Sequence, residues 1–260
     1  MARTLEAELT SSRLEKDGKI AHITLNRPER LNAIDHPLTQ DLDAFTKFLE
    51  TDQDVRLVTI RGAGRAFCSG IDLKELPKGN VGKPHFPPWE QTLRRLETMD
   101  ALVLCLIHGY AIGGGLQLAL ACDIRASTPT AEYGLTAIEE SIIPGMGTWR
   151  LPQYVGMGRA KQLSILGNFI DGEEAERIGL VDHLVDEDDY EGEFAELVND
   201  YMRINSRGAR ATKQAMASSF SMDWEEFWEH YIDLQYDAMA HPDHEEAKAA
   251  ALEDREAEWS

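Results

Sequence analysis

The sequence has few basic residues, few cysteines and no long apolar run, and each shortage narrows what the protein can be. There are 26 lysines and arginines against 46 aspartates and glutamates, which gives a formal net charge of −20. Nucleic acid and anionic membranes are therefore poor partners, since both require a basic surface. No apolar run reaches membrane-spanning length, and no N-terminal stretch has the charged and apolar pattern of a leader.

The three cysteines are Cys68, Cys105 and Cys122, and their spacing does not match a metal-binding knuckle. All three lie in apolar or tightly turned segments, which predicts reduced core residues in a reducing compartment. We therefore expect a cytoplasmic protein without a bound metal. With 260 residues, of which 43% are hydrophobic, the chain can bury a sizeable core as one large α/β domain with an appendage.

A continuous apolar run over residues 101–107 predicts a strand that is buried on both faces. It leads through Gly113, Gly114 and Gly115 into an apolar helix. Amide groups in such a turn sit at a helix N-terminus, where unpaired N–H donors favour a negatively charged oxygen. The alternative is that the glycines serve only tight packing of strand against helix. A second apolar strand, over residues 55–60, runs into a similar glycine-containing turn over residues 62–76, which places both turns at the same end of one sheet.

Four motifs in this order identify a family resemblance: residues 26–33 (NRPERLNA), 66–72 (AFCSGID), 109–115 (GYAIGGG) and 143–152 (IPGMGTWRLP). The chain resembles the crotonase (enoyl-CoA hydratase/isomerase) superfamily over nearly its whole length. The resemblance implies an α/β fold with a spiral core of ββα units and a C-terminal helical trimerisation region. It implies an acyl-CoA-binding core over residues 1–195, a helical region over residues 196–260, and a homotrimer or homohexamer.

The resemblance also implies the chemistry. Members bind an acyl-CoA thioester and stabilise an enolate oxygen with two backbone N–H groups, which match Ile71 and Gly114 here. Coenzyme A enters as part of the substrate, so no separate cofactor is expected. The positions that the resemblance assigns to coenzyme A binding are Arg30, Leu31, Ser69, Ile71, Asp72, Leu73 and Gly114. Arg27 is a further candidate for this edge, with a solvated arginine as the alternative.

The acid/base positions depart from the family pattern. A typical hydratase carries two glutamates, and the matching positions hold Gln117 and Ala137. Glutamine can hold a water molecule but cannot accept its proton. Other members place an aspartate near position 145, and here that position is Gly145, which disfavours their reactions. Members often have a C-terminal lysine that reaches a neighbouring subunit's CoA, and here Arg255 replaces it or the contact is absent.

Glu139 and Glu140 are the nearest carboxylates to the second position. If residues 137–141 form a helical turn, Glu140 shares a face with Ala137, whereas Glu139 points elsewhere. We therefore take Glu140 as the candidate base, with Gln117 as a second candidate catalytic residue. The alternative for Glu140 is a solvated acidic helix start.

The remaining elements complete the prediction. Residues 9–15 and 20–25 form a hairpin, and residues 37–50 form an amphipathic helix. Residues 77–89 form a long loop that contributes His85 and Trp89 as candidate pocket residues, although an exposed loop histidine is the favoured interpretation of His85. Helices cover the chain from residue 188 on, and they include an aromatic stripe that is expected in the core or at a subunit interface: Trp224, Phe227, Trp228 and Tyr231.

Three functions remain open at this point. The first is an acyl-CoA hydratase or isomerase with atypical acid/base residues. The second is a CoA-thioester hydrolase or a carbon–carbon bond-cleaving enzyme, in which Gln117 holds water or His85 acts as a base. The third is a protein that binds acyl-CoA without catalysis. Family membership is an analogy, and the site must decide among them.

Overall fold

The protein is built around one seven-stranded sheet. A computed structural model describes residues 5–75 and 83–260, with residues 5–8 described by their backbone alone. The strands are β1 (Leu5–Glu8), β2 (Ser12–Asp17), β3 (Ile20–Leu25), β4 (Leu57–Gly62), β5 (Leu102–Ile107), β6 (Tyr110–Ile112), β7 (Ile124–Ser127), β8 (Glu132–Gly134) and β9 (His183–Leu184). The order in the sheet is β1-β2-β3-β4-β5-β7-β9. It is antiparallel from β1 to β3 and parallel from β3 onwards. β6 and β8 pair separately as a parallel ribbon.

Helices cover both faces of the sheet and form the C-terminal region. They are α1 (His36–Thr51), α2 (Phe86–Thr98), α3 (Gly114–Leu120), α4 (Gly147–Leu166), α5 (Gly172–Arg177), α6 (Tyr190–Ile204), α7 (Arg207–Ser218), α8 (Trp224–Ala240) and α9 (Pro242–Glu253). Two short 3₁₀ turns cover Pro28–Arg30 and Ala137–Glu140. No helix in the described ranges is long and apolar enough to cross a membrane.

β5 has the burial that its apolar sequence predicts, since all six of its residues are buried. Val103, Cys105 and Ile107 join the large cluster that contains the apolar face of α1. The alternate residues of the strand pack on the opposite face, where Phe194 and Val198 of α6 cover them. The period of two along a strand produces this division. The stripe predicted for α1 is confirmed as core: Leu38, Leu42, Phe45 and Leu49.

The N-terminal hairpin is confirmed, but its first strand begins at Ser12 and not at residue 9. The carboxylate of Asp41 in α1 accepts hydrogen bonds from the Ser11 amide at 2.6 Å and from the Ser12 hydroxyl at 3.2 Å. These bonds fix residues 9–11 as a turn, and the amide of Leu9 donates to the carbonyl of Ser12 at 3.0 Å. The turn connects β2 to a preceding antiparallel strand that the sequence did not indicate, β1.

α4 is divided into two parts by a glycine. It begins at Gly147 and is interrupted at Gly156, whose φ of 74° and ψ of 157° lie outside the helical range. A glycine is the residue that adopts such a conformation at little cost. α5 is capped by Asp171, whose carboxylate accepts from the amide of Glu174 at 2.8 Å.

The C-terminal helices leave their aromatic stripe exposed on a single chain. Trp224 is 72% exposed and Trp228 is 52% exposed. The expectation that this stripe lies in the core is therefore wrong, and the expectation of a subunit interface stays a prediction. The division of the chain after residue 195 falls inside α6, whose side chains pack against the central sheet.

Candidate active site

The first predicted turn follows β4 and presents the amide of Ile71. The amide of Ile34 donates to the carbonyl of Gly70 at 2.7 Å, and the amide of Asp72 donates to the carbonyl of Ile34 at 2.9 Å. These two bonds hold Ile71 in a parallel bridge with its own N–H directed away from Ile34. Within the described part of the chain, this N–H has no acceptor.

The second turn connects β6 to α3 and presents the amide of Gly114. Gly113 has φ 54° and ψ −115°, a conformation suited to glycine, and its N–H donates to the carbonyl of Gly134 at 2.8 Å. Gly114 is the first residue of α3, so its N–H has no acceptor inside the helix. No other acceptor for it occurs in residues 5–75 and 83–260.

Backbone hydrogen bonds join the two turns directly. The amide of Cys68 donates to Tyr110 at 2.8 Å, and the amide of Ile112 donates back to Cys68 at 3.0 Å. The contact is so close that a Cβ on Gly115 would lie 2.2 Å from the Cys68 carbonyl oxygen. A Cβ on Gly70 would lie 3.4 Å from the Gly114 nitrogen. The two unpaired N–H groups therefore belong to adjoining segments, and glycine is needed at both points of contact.

Both turns line one cavity. Its walls come from the two turns, from the start of α2 and from the segment between β8 and α4. The lining residues are mainly apolar: Ile34, Ile71, Leu73, Phe86, Trp89, Ile112, Ala137, Ile142, Ile143 and Pro144. A mostly apolar cavity with a few convergent polar groups is the usual form of a small-molecule site.

The predicted coenzyme A residues form one edge of this cavity. Ser69, Ile71, Leu73 and Gly114 line it directly, and Leu73 is 60% exposed at its rim. The residues beside it are tied together, since the Ser69 amide donates to the Leu31 carbonyl at 3.0 Å and Arg30 pairs with Asp72 at 3.5 Å.

Arg27 belongs to the same cluster, and the interpretation of it as a solvated side chain is wrong. Its guanidinium lies 3.3 Å from the Asp72 carboxylate and 3.1 Å from that of Asp35, and it also donates to the carbonyl of Ala33. Arg27 therefore holds the first turn against the start of α1. Asp72 is buried, and the two arginines compensate its charge.

His85 and Trp89 both line the cavity, but His85 is not the exposed loop residue that was favoured. Its side chain is 4% exposed, and its Nδ1 has no hydrogen-bond partner in the described chain. Burial is the main cause that lowers the pKa of His85. The loop is shorter than predicted because Pro87 and Pro88 start α2 at Phe86. Residues 76–82 of the predicted loop lie outside the described residues.

The structure places two polar side chains of the predicted acid/base region in the cavity wall. Gln117 is 7% exposed, and its Oε1 has no hydrogen-bond partner among the described residues. Glu140 lies on the 3₁₀ turn with Ala137, and both line the cavity, whereas Glu139 is exposed to solvent. Glu140 makes no hydrogen bond or ion pair with another described residue.

A second carboxylate, Glu90, lies in the cavity wall and was missed by the sequence analysis. Its Oε2 accepts from Arg150 at 2.8 Å, and its Oε1 accepts from the amide of Met146 at 3.0 Å. The sequence contained one signal. Glu90 lies four residues after Phe86 and three before Leu93, so a carboxylate interrupts the apolar stripe of α2.

Gly145 explains how the polar groups fit together. A Cβ at this position would lie 2.7 Å from Oε1 of Glu90 and 2.8 Å from Oε1 of Gln117. Its φ of 47° also favours glycine. The oxygens of Glu90 and Gln117 are therefore neighbours, and they occupy the space that an aspartate at 145 would need.

Comparison with known proteins gives the same assignment as the motifs. The family model for enoyl-CoA hydratase/isomerase matches residues 15–260. The chain belongs to the enoyl-CoA hydratase/isomerase family. It is 32% identical over 255 residues to the short-chain-enoyl-CoA hydratase of Clostridium acetobutylicum, with 96% of this chain and 98% of that protein covered. It is 34% identical over 220 residues to the (E)-benzylidenesuccinyl-CoA hydratase of Thauera aromatica, with 78% and 80% covered.

Solved structures confirm the crotonase fold. The enoyl-CoA hydratase of Bacillus anthracis superposes with a TM-score of 0.89 at 29% identity, over 96% of this chain and 99% of that chain. That of Mycobacterium smegmatis superposes with a TM-score of 0.88 at 25% identity, again over 96% and 99%. Predicted membership and fold are therefore both confirmed, and the chain is an enzyme-family member whose acid/base residues must be read from its own geometry.

The C-terminal end of this enoyl-CoA hydratase/isomerase family member holds Arg255 within its own chain. The guanidinium pairs with Glu246 at 2.5 Å and with Glu253 at 2.6 Å. Hydrogen bonding to Glu246 is the main cause that raises the pKa of Arg255. A contact from Arg255 to a neighbouring subunit's CoA would have to replace these pairs, and it stays a prediction.

Proposed function

We propose that this protein converts acyl-CoA thioesters through an enolate whose oxygen is held by the amides of Ile71 and Gly114. The observation that carries the proposal is the pair of unpaired N–H groups on adjoining turns at the wall of one apolar cavity. Such donors favour the transition state because they are already oriented when charge develops on the oxygen. One donor of this kind contributes about 3 kcal/mol to transition-state stabilisation.

The coenzyme A moiety would lie along the edge formed by Arg30, Leu31, Ser69, Asp72 and Leu73. The overall charge of −20 repels an anionic ligand, so local groups have to provide the attraction. Arg30 is the basic group on that edge, and its side chain is 33% exposed. The backbone carbonyl of Ser69 is the proposed acceptor for the adenine amino group.

Glu140 is the proposed proton carrier at the carbon next to the thioester. Its carboxylate faces the cavity and makes no hydrogen bond or ion pair to another described residue, so it is free to take up and return a proton. In that step the proton leaves the α-carbon for Glu140, a double bond forms between the α-carbon and the thioester carbon, and the oxygen takes the charge.

A protein that binds acyl-CoA without catalysis is the second candidate, and the replacement of a glutamate by Gln117 favours it. The enzyme would exchange the α-proton of a bound thioester with solvent, whereas the binding protein would not. A thioester hydrolase would instead release free coenzyme A. Assembly as a homotrimer or homohexamer and a cytoplasmic location also stay proposals. The exposed aromatic residues of α8 support the assembly.

A mass-spectrometric screen in heavy water tests the proposal. The purified protein is mixed with short, branched, cyclic and aromatic acyl-CoA and enoyl-CoA thioesters. We expect deuterium uptake at the α-carbon or formation of a product. Binding of the thioesters without exchange or turnover would contradict enolate formation and favour the binding protein.

The role of Glu140 has a matched control in its neighbour. Glu140→Gln should lower α-proton exchange by about tenfold or more, because glutamine cannot carry the proton. Glu139→Gln removes an equal charge from the same 3₁₀ turn but faces solvent, so it should leave exchange unchanged. Exchange should be followed together with the dissociation constant for butyryl-CoA. Equal exchange rates in the two variants would contradict the role of Glu140 as the proton carrier.

A further inference from the structure

Two hydrogen-bond acceptors converge on one point of the cavity wall. Oε1 of Gln117 is buried and has no partner in the described chain. Oε1 of Glu90 accepts one hydrogen bond, from the Met146 amide, which leaves capacity for a second. Both oxygens lie within 2.8 Å of the point where a Cβ on Gly145 would be.

The buried Oε1 of Gln117 requires a donor, because a buried acceptor without a partner is costly, and Oε1 of Glu90 beside it can accept a second hydrogen bond. A water molecule can donate two hydrogens, one to each oxygen. The site is polar and lies in the wall of the cavity, and polar partners of this kind are what a bound water needs.

The two acceptors differ in what they can do with that water. The amide of Gln117 can orient it but cannot take its proton. The carboxylate of Glu90 can take the proton, and its position is fixed from behind. Arg150 is 4% exposed at its side chain and binds Oε2 of Glu90 at 2.8 Å. The same guanidinium also pairs with Glu97, which does not line the cavity.

We propose that Glu90 and Gln117 together hold the nucleophilic water and that Glu90 is the base which activates it, so that the reaction is hydration of a 2-enoyl thioester. This inference rests on the proposed enolate chemistry. Position 117 lacks a carboxylate, and in this proposal Glu90 supplies one from a different helix, α2.

The step balances with the groups present. The water gives a proton to Oε1 of Glu90, and its oxygen forms a bond to the β-carbon. The π electrons of the carbon–carbon double bond move toward the thioester carbon, and the carbonyl oxygen takes the charge between Ile71 and Gly114. The α-carbon then takes a proton from the protonated form of Glu140. Exchange with solvent returns both carboxyl groups to their starting states.

The experiment measures two reactions on each variant, with crotonyl-CoA hydration and α-proton exchange of butyryl-CoA in heavy water as the readouts. Glu90→Gln should lower hydration by about 100-fold while exchange changes by less than about threefold, because only hydration uses the water. Gln117→Leu should lower hydration by about tenfold. Glu97→Gln is the matched control, since it removes the other carboxylate on Arg150, and it should leave both reactions at the wild-type rate.

A carboxylate exchange separates a catalytic role from a positioning role. In the double variant Glu90→Gln with Gln117→Glu, the carboxylate and the amide trade sides of the same water. Hydration should recover by about tenfold relative to Glu90→Gln alone. A purely structural role of Glu90 in holding Arg150 would give no such recovery.

The outcomes distinguish the two levels of the proposal. Wild-type hydration rates in Glu90→Gln would overturn the role of Glu90, as would loss of both reactions in Glu90→Gln and Glu97→Gln alike. Exchange without any hydration in the wild-type protein would also overturn it and would leave the enolate chemistry standing. Absence of both reactions in the wild-type protein would instead contradict the proposed function itself.

Discussion

Removal of the Gly114 N–H is the sharpest test of the proposed oxyanion site. Proline is the substitution that removes this donor, and position 114 tolerates it for two reasons. Proline suits the first residue of a helix, and Gly113 before it lies outside the α-helical region that a following proline disfavours. A Cβ at 114 would lie 2.4 Å from Cδ1 of Ile34. Ile34→Val removes that atom, so both variants are built on this background.

Alanine at 114 is the matched control, because it adds the same Cβ and keeps the N–H. Ile34→Val costs about 0.5–1.5 kcal/mol of stability, and the cost is shared by both variants. The difference between them is then the loss of one donor to a developing oxyanion, about 2.7–4 kcal/mol. This corresponds to a fall in kcat of about 100- to 1,000-fold, with residual turnover supported by Ile71.

The assay measures kcat on the acyl-CoA identified by the screen, the dissociation constant for a saturated acyl-CoA, and the thermal unfolding midpoint. We expect the proline variant to lose kcat relative to the alanine variant while the dissociation constant changes by less than about tenfold. Equal kcat values in two folded variants would refute the assignment of Gly114. A loss of binding as large as the loss of kcat would show that the donor acts on the ground state.

Three further predictions concern burial and assembly. The pKa of His85 is lowered in the folded protein, so the unfolded state binds the extra proton below about pH 6.5 and wild-type stability falls as the pH decreases. The unfolding midpoint of His85→Gln should therefore fall less between pH 7 and pH 5 than that of the wild-type protein. Burial raises the pKa of Cys68 to about 12 and that of Cys122 well above its usual value, so a thiol reagent at pH 8 should modify neither until the protein unfolds. Trp224→Glu with Trp228→Glu should shift the mass measured by light scattering toward that of one chain, and an unchanged mass would exclude α8 from the interface.

The two glycine turns could be predicted from the sequence because their requirements are local. Glycine at 113 and 115 reports a special backbone conformation and a close approach of the chain, whatever the rest of the protein does. The orientation of Glu140 relative to Glu139 followed in the same way from the spacing on one short turn. The apolar stripe of α1 followed from helical periodicity.

The remaining features depend on contacts between distant segments. Glu90 and Arg150 are 60 residues apart, and no sequence pattern at either position predicts their contact. The strand start at Ser12 depends on Asp41 in the same way, since a helix carboxylate satisfies two groups of the hairpin. The burial of His85 required knowing that α2 begins at Phe86 and folds over the cavity.

The side chains at positions 90, 117 and 145 constrain one another. A carboxylate at 117 would face Oε1 of Glu90 across a short gap, and two carboxylates that share a site cannot both ionise freely. A side chain at 145 would overlap both oxygens. Glutamine at 117 and glycine at 145 are therefore compatible with a carboxylate at 90. Gln117, which disfavours standard hydration in the sequence, and Gly145 are therefore both consistent with one rearranged site, in which the base comes from α2.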